Sequence, residues 1–571
     1  MKFRSSLAAA VLLAGTSAAA QPGLPSADSL PPRPNIVWLV AEDLSPMLPM
    51  FGDSTVATPN LSRLAARGIR YPNTFVTAPV CAVSRAAIAT GLHAASFGAQ
   101  HMRNQYEWLH LNELGLPAYL AVPAPEVKML SQRMREHGYF TTNADKTDYQ
   151  FQPPKAAWNE QDIRGHWRHR PPGQPFFSVF NLEITHESQT WVTHTRNLRY
   201  RPGFENDSSD IPHWGIPHPD TLMPSRVPAD LAVAVPPYLA DTETTRRDVR
   251  RAYSNIAVLD EQIGVILDQL EADGLTDSTI VVFYSDHGGP LPRQKRLLYD
   301  SGLRIPFVVA YPDAYRAGEV DSTLLSLIDL VPSTLALAGA AVPDHLHGAA
   351  RLRRGDAPAR RYAFATADRF DEHTDYIRAV TDGRFKYLRN YRPEQGYYLP
   401  ISYREQMAAM QDLLHLRDNE GLSPSQAQWF RDSKPREELF DTKHDPHELV
   451  NLAGVAAYAD TLVAMREALD AWRARVGDLG DFEEAQLIEY LWSGADTVEV
   501  TAPVELARRR DGRVELSSAT PGATISYRFL PADESAKGWR LYREPFEVPN
   551  GQRLEAVAQR IGFRESEPLI E

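Results

Sequence analysis

The chain of 571 residues contains one cysteine, Cys81, in the stretch TAPVCAVSRAAIATG (77–91). A thiol without a second cysteine cannot close an internal disulfide, so Cys81 is either a small buried hydrophobe or a reactive group. Ser84 and Arg85 follow at +3 and +4, and the small residues after them read as the body of a helix. Cys81 then falls near a helix N-terminus, where the helix dipole and Arg85 both favour negative charge. Acids recur at the ends of apolar runs. NIVWLVAEDL (35–44) carries Glu42 and Asp43 at its end, and STIVVFYSDHGG (278–289) carries Asp286 and His287. Standing alone, Glu42–Asp43 would read as an acidic helix cap; a second acid-bearing end places both at one edge. Carboxylate oxygens at such an edge are ligands of the kind that Ca²⁺ or Mg²⁺ prefers. GLHAASFGAQHMRN (91–104) adds His93 and His101 close to the cysteine, with His101 the candidate for substrate contact and His93 equally suited to helix packing.

The elements that must position these groups follow from periodicity. Continuous apolar runs at 35–44, 278–289 and 304–312 have the pattern of strands buried on both faces. TPNLSRLAARG (58–68) and KMLSQRMREHGYF (128–140) have helical spacing with a closing glycine, and RRAYSNIAVLDEQIGVILDQLEADG (250–274) is a strongly amphipathic helix. Strands alternating with helices predict an α/β fold: a large, mixed, mostly parallel sheet flanked by helices. Ligands bind at the carboxyl ends of strands in such sheets, which is where Glu42–Asp43 and Asp286–His287 fall. The catalytic α/β region is expected over 35–354. A smaller α+β subdomain follows over 355–480, with a hairpin at DYIRAVTDGRFKYLRNY (375–391) and a helix over 460–477. Short alternating strands at 497–571, separated by Pro521-Gly522 and Asn550-Gly551, predict a small β-sandwich.

Residues 1–20 join Lys2 and Arg4 to an apolar stretch and an A-x-A end at Ala18 and Ala20, the pattern of a secretory signal. Residues 21–34 form a Pro-rich leader. The protein is therefore expected to be exported, to the periplasm or the extracellular space. No stretch is long and apolar enough to span a membrane. A net charge of −13 without a basic stripe argues against nucleic acid as a partner.

PNIVWLVAEDL, TPNLSRLAARGIRYPNTF, CAVSRAAIATG, TIVVFYSDHG and KRLLYDSGLRIPFVV resemble, in this order, the type I, formylglycine-dependent sulfatases of the alkaline-phosphatase superfamily. EELFDTKHDPHELVNLA (437–453) resembles their C-terminal subdomain, and the likeness is closest to bacterial polysaccharide and heparan N-sulfatase-like members. The resemblance implies an alkaline-phosphatase-like fold and hydrolysis of sulfate esters on a sulfated sugar or polysaccharide. It also implies that Cys81 is oxidised to formylglycine (3-oxoalanine) by a formylglycine-generating enzyme, and that the hydrated aldehyde attacks sulfur. By the same resemblance Glu42, Asp43, Asp286, His287 and an oxygen of modified Cys81 hold Ca²⁺, with Mg²⁺ an alternative. Arg85, Lys146 and Lys295 contact the sulfate or the nucleophile, and His186 is the general acid, since imidazole can donate a proton near neutrality. Asp148 stands where the family has His and would bind the same network or the sugar. Trp191 and Trp214, in the long aperiodic segment 189–220, would stack on sugar rings or pack beneath the loop. The β module resembles the small Ig-like module appended to chitobiases, with a spacer or packing role expected. Val83 stands where the family motif has Pro or Ala. A second reading keeps Cys81 as a thiol, in a non-catalytic glycan-binding relative or a phosphoesterase.

Overall fold

The computed structural model describes residues 30–104, 114–191, 225–355, 357–530 and 538–571. The signal pattern at 1–20, most of the leader, Trp214 and the rest of the long segment from 192 to 220 lie outside the described residues. A seven-stranded sheet forms the centre. Its strands are β1 (Asn35–Ala41), β2 (Gly68–Arg70), β3 (Phe140–Ala144), β4 (Glu160–Gln161), β5 (Phe176–Leu182), β6 (Thr279–Ser285) and β7 (Phe307–Ala310), in the order β2-β7-β6-β1-β5-β3-β4. β7 alone opposes the others, so the sheet is mixed and mostly parallel. All seven residues of β1 are buried, as its unbroken apolar sequence requires. Register decides what the sheet does. Ala41 pairs with Leu182 of β5 and with Ser285 of β6, so three neighbouring strands end level. The residues that follow each of them emerge at one place.

The helices are α1 (Pro59–Arg67), α2 (Cys81–Thr90), α3 (Leu130–Glu136) and α4 (Glu243–Ala272). α2 is buried at every position. Its alanines let the backbone pack close, and Gly91 ends it at φ 75°, in the left-handed region. Two boundaries differ from expectation. α4 starts seven residues before the predicted 250, at a Thr242 cap whose hydroxyl accepts from Thr245 N; its first turns are polar and carry no apolar period. The run expected as one strand over 304–312 divides at Pro306, which has no N–H to donate. Arg304–Ile305 pairs with Thr74–Phe75 in a separate small sheet, and only Phe307–Ala310 joins the main one.

Beyond residue 355 a four-stranded antiparallel sheet is built from Ala363–Ala367, Ile377–Thr381, Phe385–Asn390 and Glu437–Asp441. The helix Ala459–Val476 covers it with Met465, Leu469 and Trp472. A further helix, Glu484–Leu491, falls between the expected regions 355–480 and 497–571. Its Glu484 carboxylate takes both Arg369 nitrogens at 2.6 and 2.8 Å and the Tyr119 hydroxyl at 2.7 Å. Two small antiparallel sheets over residues 504–570 complete the chain and share a core of Val504, Val514, Leu516, Ile525 and Leu554. Among the described residues no helix is long and apolar enough to cross a membrane.

Burial alone would raise the Glu484 carboxyl; His101 and Arg369 outweigh it and bring it down to about 2. A carboxyl lowered in the folded state adds stability above its unfolded pKa and loses it as pH falls toward the folded value. Glu484→Gln should cost about 3–5 kcal/mol at neutral pH, because it leaves Arg369 buried and unpaired. Urea midpoints of the two proteins should converge between the unfolded carboxylate pKa of 4.5 and about 2; a gap independent of pH would contradict the assignment.

Candidate active site

The level strand ends bring four chain segments together. Glu42 and Asp43 leave β1, Asp286 and His287 leave β6, and residues 183–187 leave β5 in a short turn. The fourth is the N-terminus of α2, where Cys81 is the first helical residue and 1% exposed. Ser84 donates to the Asp286 carbonyl at 2.6 Å and fastens α2 to the end of β6. Cys81 Sγ lies within 4.8 Å of ligand atoms of Asp286 and His287 on one side and of Glu42 and His186 on the other. Asp43, His186 and Glu187 form an adjoining cluster of the same tightness.

The carboxylates are fully buried and each meets a cation. Asp286 Oδ2 accepts from Arg85 Nε at 2.9 Å, and Arg85 Nη1 donates to Asn181 Oδ1 at 2.7 Å. Lys146 pairs with Glu42 and lies 4.0 Å from Asp148. Lys295 Nζ reaches Asp43 Oδ2 at 2.9 Å and Glu187 Oε1 at 3.2 Å, with His186 Nε2 at 3.3 Å. Burial would raise all three acids. Lys295 and His287 outweigh it at Asp43 and hold that group well below the usual range; His287 and Arg85 lower Asp286. Lys146 does not fully offset burial at Glu42, which rises to about 7. Burial opposes charge on His287, but Asp286 and Asp43 lift it to about 10. His186 goes the other way: burial, then Lys295, push it well below 6.5.

The donor set fits a hard divalent cation. Glu42, Asp43 and Asp286 leave level strand ends as hard oxygen donors, Glu42 and Asp286 each in a cluster with Cys81 and Asp43 in the adjoining one. Glu42 Oε2 and His287 Nε2 are buried without a hydrogen-bond partner, although Nε2 comes within 2.9 Å of Asp43 Oδ1. His287 Nδ1 donates to the Gly288 carbonyl at 3.0 Å, so Nε2 is the ring nitrogen turned toward the acids; it bears the second proton against Asp43 and would offer a lone pair only where a cation took that proton's place.

Of the residues expected from sequence, Cys81, Arg85, Lys146, His186, Lys295, Glu42, Asp43, Asp286 and His287 all converge here, and Asp148 borders them through Lys146. His101 does not join them. Its Nδ1 accepts from Arg369 N at 3.1 Å, and burial lowers it to about 4, so it sits in the packing around Arg369. His93 packs edge-on against Trp472 at 5.0 Å. Trp191 is buried with its ring 4.6 Å from Tyr403, a packed position and not an open sugar platform.

Sequence reasoning missed a second charged layer. Arg296 joins Glu187 Oε2 at 2.9 Å to Asp371 Oδ2 at 2.6 Å, and Arg103 lies 3.6 Å from Asp371 Oδ1. Asn181, the last polar side chain of β5, links Arg85 to the Lys146 carbonyl at 3.3 Å. Glu187 and Arg296 directly follow His186 and Lys295, so adjacency was their available signal. Asp371 and Tyr403 come from the C-terminal subdomain, where no motif announces them.

With this geometry established, comparison with known proteins gives a consistent result. The sulfatase family model matches residues 34–340, and the model of the N-sulphoglucosamine sulphohydrolase C-terminal region matches 293–413. An ulvan-active sulfatase of Formosa agariphila is 46% identical over 550 residues, covering 95% of this chain and 91% of that protein. Human N-sulphoglucosamine sulphohydrolase is 25% identical over 482 residues, covering 78% of this chain and 90% of its own. A solved 2-O GAG sulfatase shares the fold at a TM-score of 0.53 and 19% identity, over 78% of this chain and 93% of that one.

Burial of Cys81 has a direct chemical consequence. Chain produced without a modifying enzyme should show no thiol toward an aromatic disulfide reagent when native and a full equivalent once unfolded. Rapid reaction of the native protein would contradict the placement.

Proposed function

The chain belongs to the sulfatase family, and on that premise we propose that it removes sulfate esters from a sulfated polysaccharide, with ulvan the first to test. The observation that carries the reading is the convergence of Glu42, Asp43, Asp286, His287, Lys146, Lys295 and His186 on the buried N-terminus of α2 at Cys81. The choice of polysaccharide rests on the 46% identity, over nearly the whole chain, to a sulfatase active on ulvan. A formylglycine-generating enzyme would oxidise Cys81 to formylglycine, which supplies a hydrated aldehyde as nucleophile. Glu42, Asp43, Asp286 and His287 would hold Ca²⁺ or Mg²⁺, which supplies positive charge to polarise the ester.

The chain's own residues carry the remaining work. Arg85 fixes Asp286 and, through Asn181, the backbone at Lys146. Lys146, paired with Glu42, and Lys295, paired with Asp43, would bind sulfate oxygens as point charges. His186 would give its proton to the leaving sugar oxygen. Burial and Lys295 keep its imidazole neutral; a sulfate anion bound against Lys295 offsets that positive charge and favours the imidazolium. Asp148, at the edge and partly exposed, would face the sugar. We place the mature protein in the periplasm or outside the cell, on the pattern of residues 1–20.

Protein purified from its native host should release sulfate from ulvan faster than from heparin-like or chondroitin-like chains. The peptide spanning residue 81 should show the mass change of thiol replaced by aldehyde. Unmodified thiol in protein that still releases sulfate would overturn the mechanism; unmodified thiol in protein that releases none would leave a phosphoesterase or a binding relative. His186→Ala should lower kcat by about 10²–10⁴ with the residue-81 peptide still converted; a kcat within a few-fold of wild type would remove His186 from the chemistry.

A further inference from the structure

The C-terminal β module has no catalytic pattern, yet its contacts lead to the active-site wall. Its turn Gln559–Gly562 abuts two segments of the body at once, 121–123 and the one at Gln152. Gln559 Nε2 donates to the Gln152 carbonyl at 3.2 Å, and Arg560 Nη2 donates to the Pro123 carbonyl at 3.2 Å. Gly562, at φ 88°, sits so close that a Cβ there would meet the Ala121 carbonyl oxygen at 2.7 Å. The neighbouring strand of the module adds Ser526 Oγ, which accepts from Ala156 N at 3.0 Å, and Thr524 Oγ1, which accepts from Gln132 Nε2 at 2.7 Å. Ser526, Thr524, Gln559 and Gln132 are all buried, so these bonds are made away from water and are costly to lose.

The two segments the module grips meet at Gln150. The Gln150 carbonyl accepts from Ala121 N at 3.0 Å; its side chain accepts from Arg103 N at 3.1 Å and donates to the His101 carbonyl. Gln150 lies two residues from Asp148 and four from Lys146. This short loop is backbone-strained: Asp145, Asp148 and Gln150 have φ of 78°, 56° and 61°, a region that side-chain-bearing residues enter at a cost. Such a conformation persists only where the surroundings over-determine it. On one side Asn143 and Asn181 hold the Lys146 carbonyl, at 2.9 and 3.3 Å. On the other, the hold passes through Gln150 and the segments 121–123 and 151–152 to the module.

We propose that the module is a positioning element for this wall of the site: the turn Gln559–Gly562 fixes Gln150, and through it Asp148, Lys146 and the backbone at Arg103. Gln559 and Gly562 are positioning residues and do not touch substrate. The link to catalysis rests on the reading of Lys146 and Asp148 as substrate-facing; the link to the loop's conformation does not. The module is then part of the substrate-binding wall and not a separable spacer.

The test uses the full chain. Gln559→Ala removes the hold on Gln152, and Gly562→Ala wedges the turn away from Ala121. Hydrogen exchange followed by mass spectrometry should show amides of residues 145–152 exchanging at least tenfold faster in Gln559→Ala, with the module strand Thr524–Leu530 still protected. With matured enzyme, kcat/KM on the sulfated polysaccharide should fall about tenfold in each variant. In an Asp148→Ala background the further loss from Gln559→Ala should shrink to less than twofold, which a merely structural role would not produce. Unchanged exchange at 145–152 would overturn the positioning role. Faster exchange with fully additive kinetic losses would overturn the substrate-facing reading of Asp148 and leave the mechanical link standing. If Gly562→Ala fails to fold, Gln559→Ala and Arg560→Ala carry the same comparison.

Discussion

Three carboxylates buried at the level ends of two parallel strands are the constraint on which the rest of this structure depends. Glu42, Asp43 and Asp286 are each fully shielded from solvent. Ionised carboxylates in such a place are strongly unfavourable unless positive charge lies within contact. The surrounding chain answers that need group by group: Lys146 to Glu42, Lys295 to Asp43, Arg85 to Asp286, with His287 between the two aspartates. The compensation is uneven, which is why Glu42 rises while Asp43 and Asp286 fall. A divalent cation is the natural complement to such a set, and a thiol placed against it at a helix N-terminus sits in the same field.

Close backbone packing makes the convergence possible. Gly288 N donates to the Gly302 carbonyl and Gly289 N to that of Ser301, each at 2.9 Å, so the segment after β6 lies directly on the turn that follows Lys295. A Cβ at Gly288 would sit 2.1 Å from the Ser301 oxygen. Glycine is therefore needed there, and the contact is what carries Lys295 to Asp43. Asp43 at φ 49° and Arg296 at φ 75° show strain of the kind that collects where side chains must be aimed.

How much of this was legible depends on how local each cause was. The strands β1 and β6, the closing glycines and the start of α2 follow from short-range pattern, and the ordered motifs located the nine residues that gather at Cys81. What the sequence could not show is register: only the pairing of Ala41 with both Leu182 and Ser285 brings the acids out level at one edge. The first turns of α4 were hidden by polar residues, and the division at Pro306 depended on which sheet each half would join. His101 was judged by nearness in sequence to Cys81, but the chain turns it toward Arg369. Asp371, Tyr403 and the module's contacts with Ala121, Pro123 and Gln152 arise from segments hundreds of residues away, for which a single sequence carries no pairing signal.

The most direct measurement is the divalent metal bound per chain after exhaustive dialysis, by elemental mass spectrometry, for wild type and Asp286→Asn. If the buried carboxylates hold a cation beside residue 81, wild type should retain about one equivalent of Ca²⁺ or Mg²⁺. The variant should retain little, with circular dichroism unchanged. Wild type that binds no divalent metal, or a variant that binds as much as wild type, would contradict the central claim.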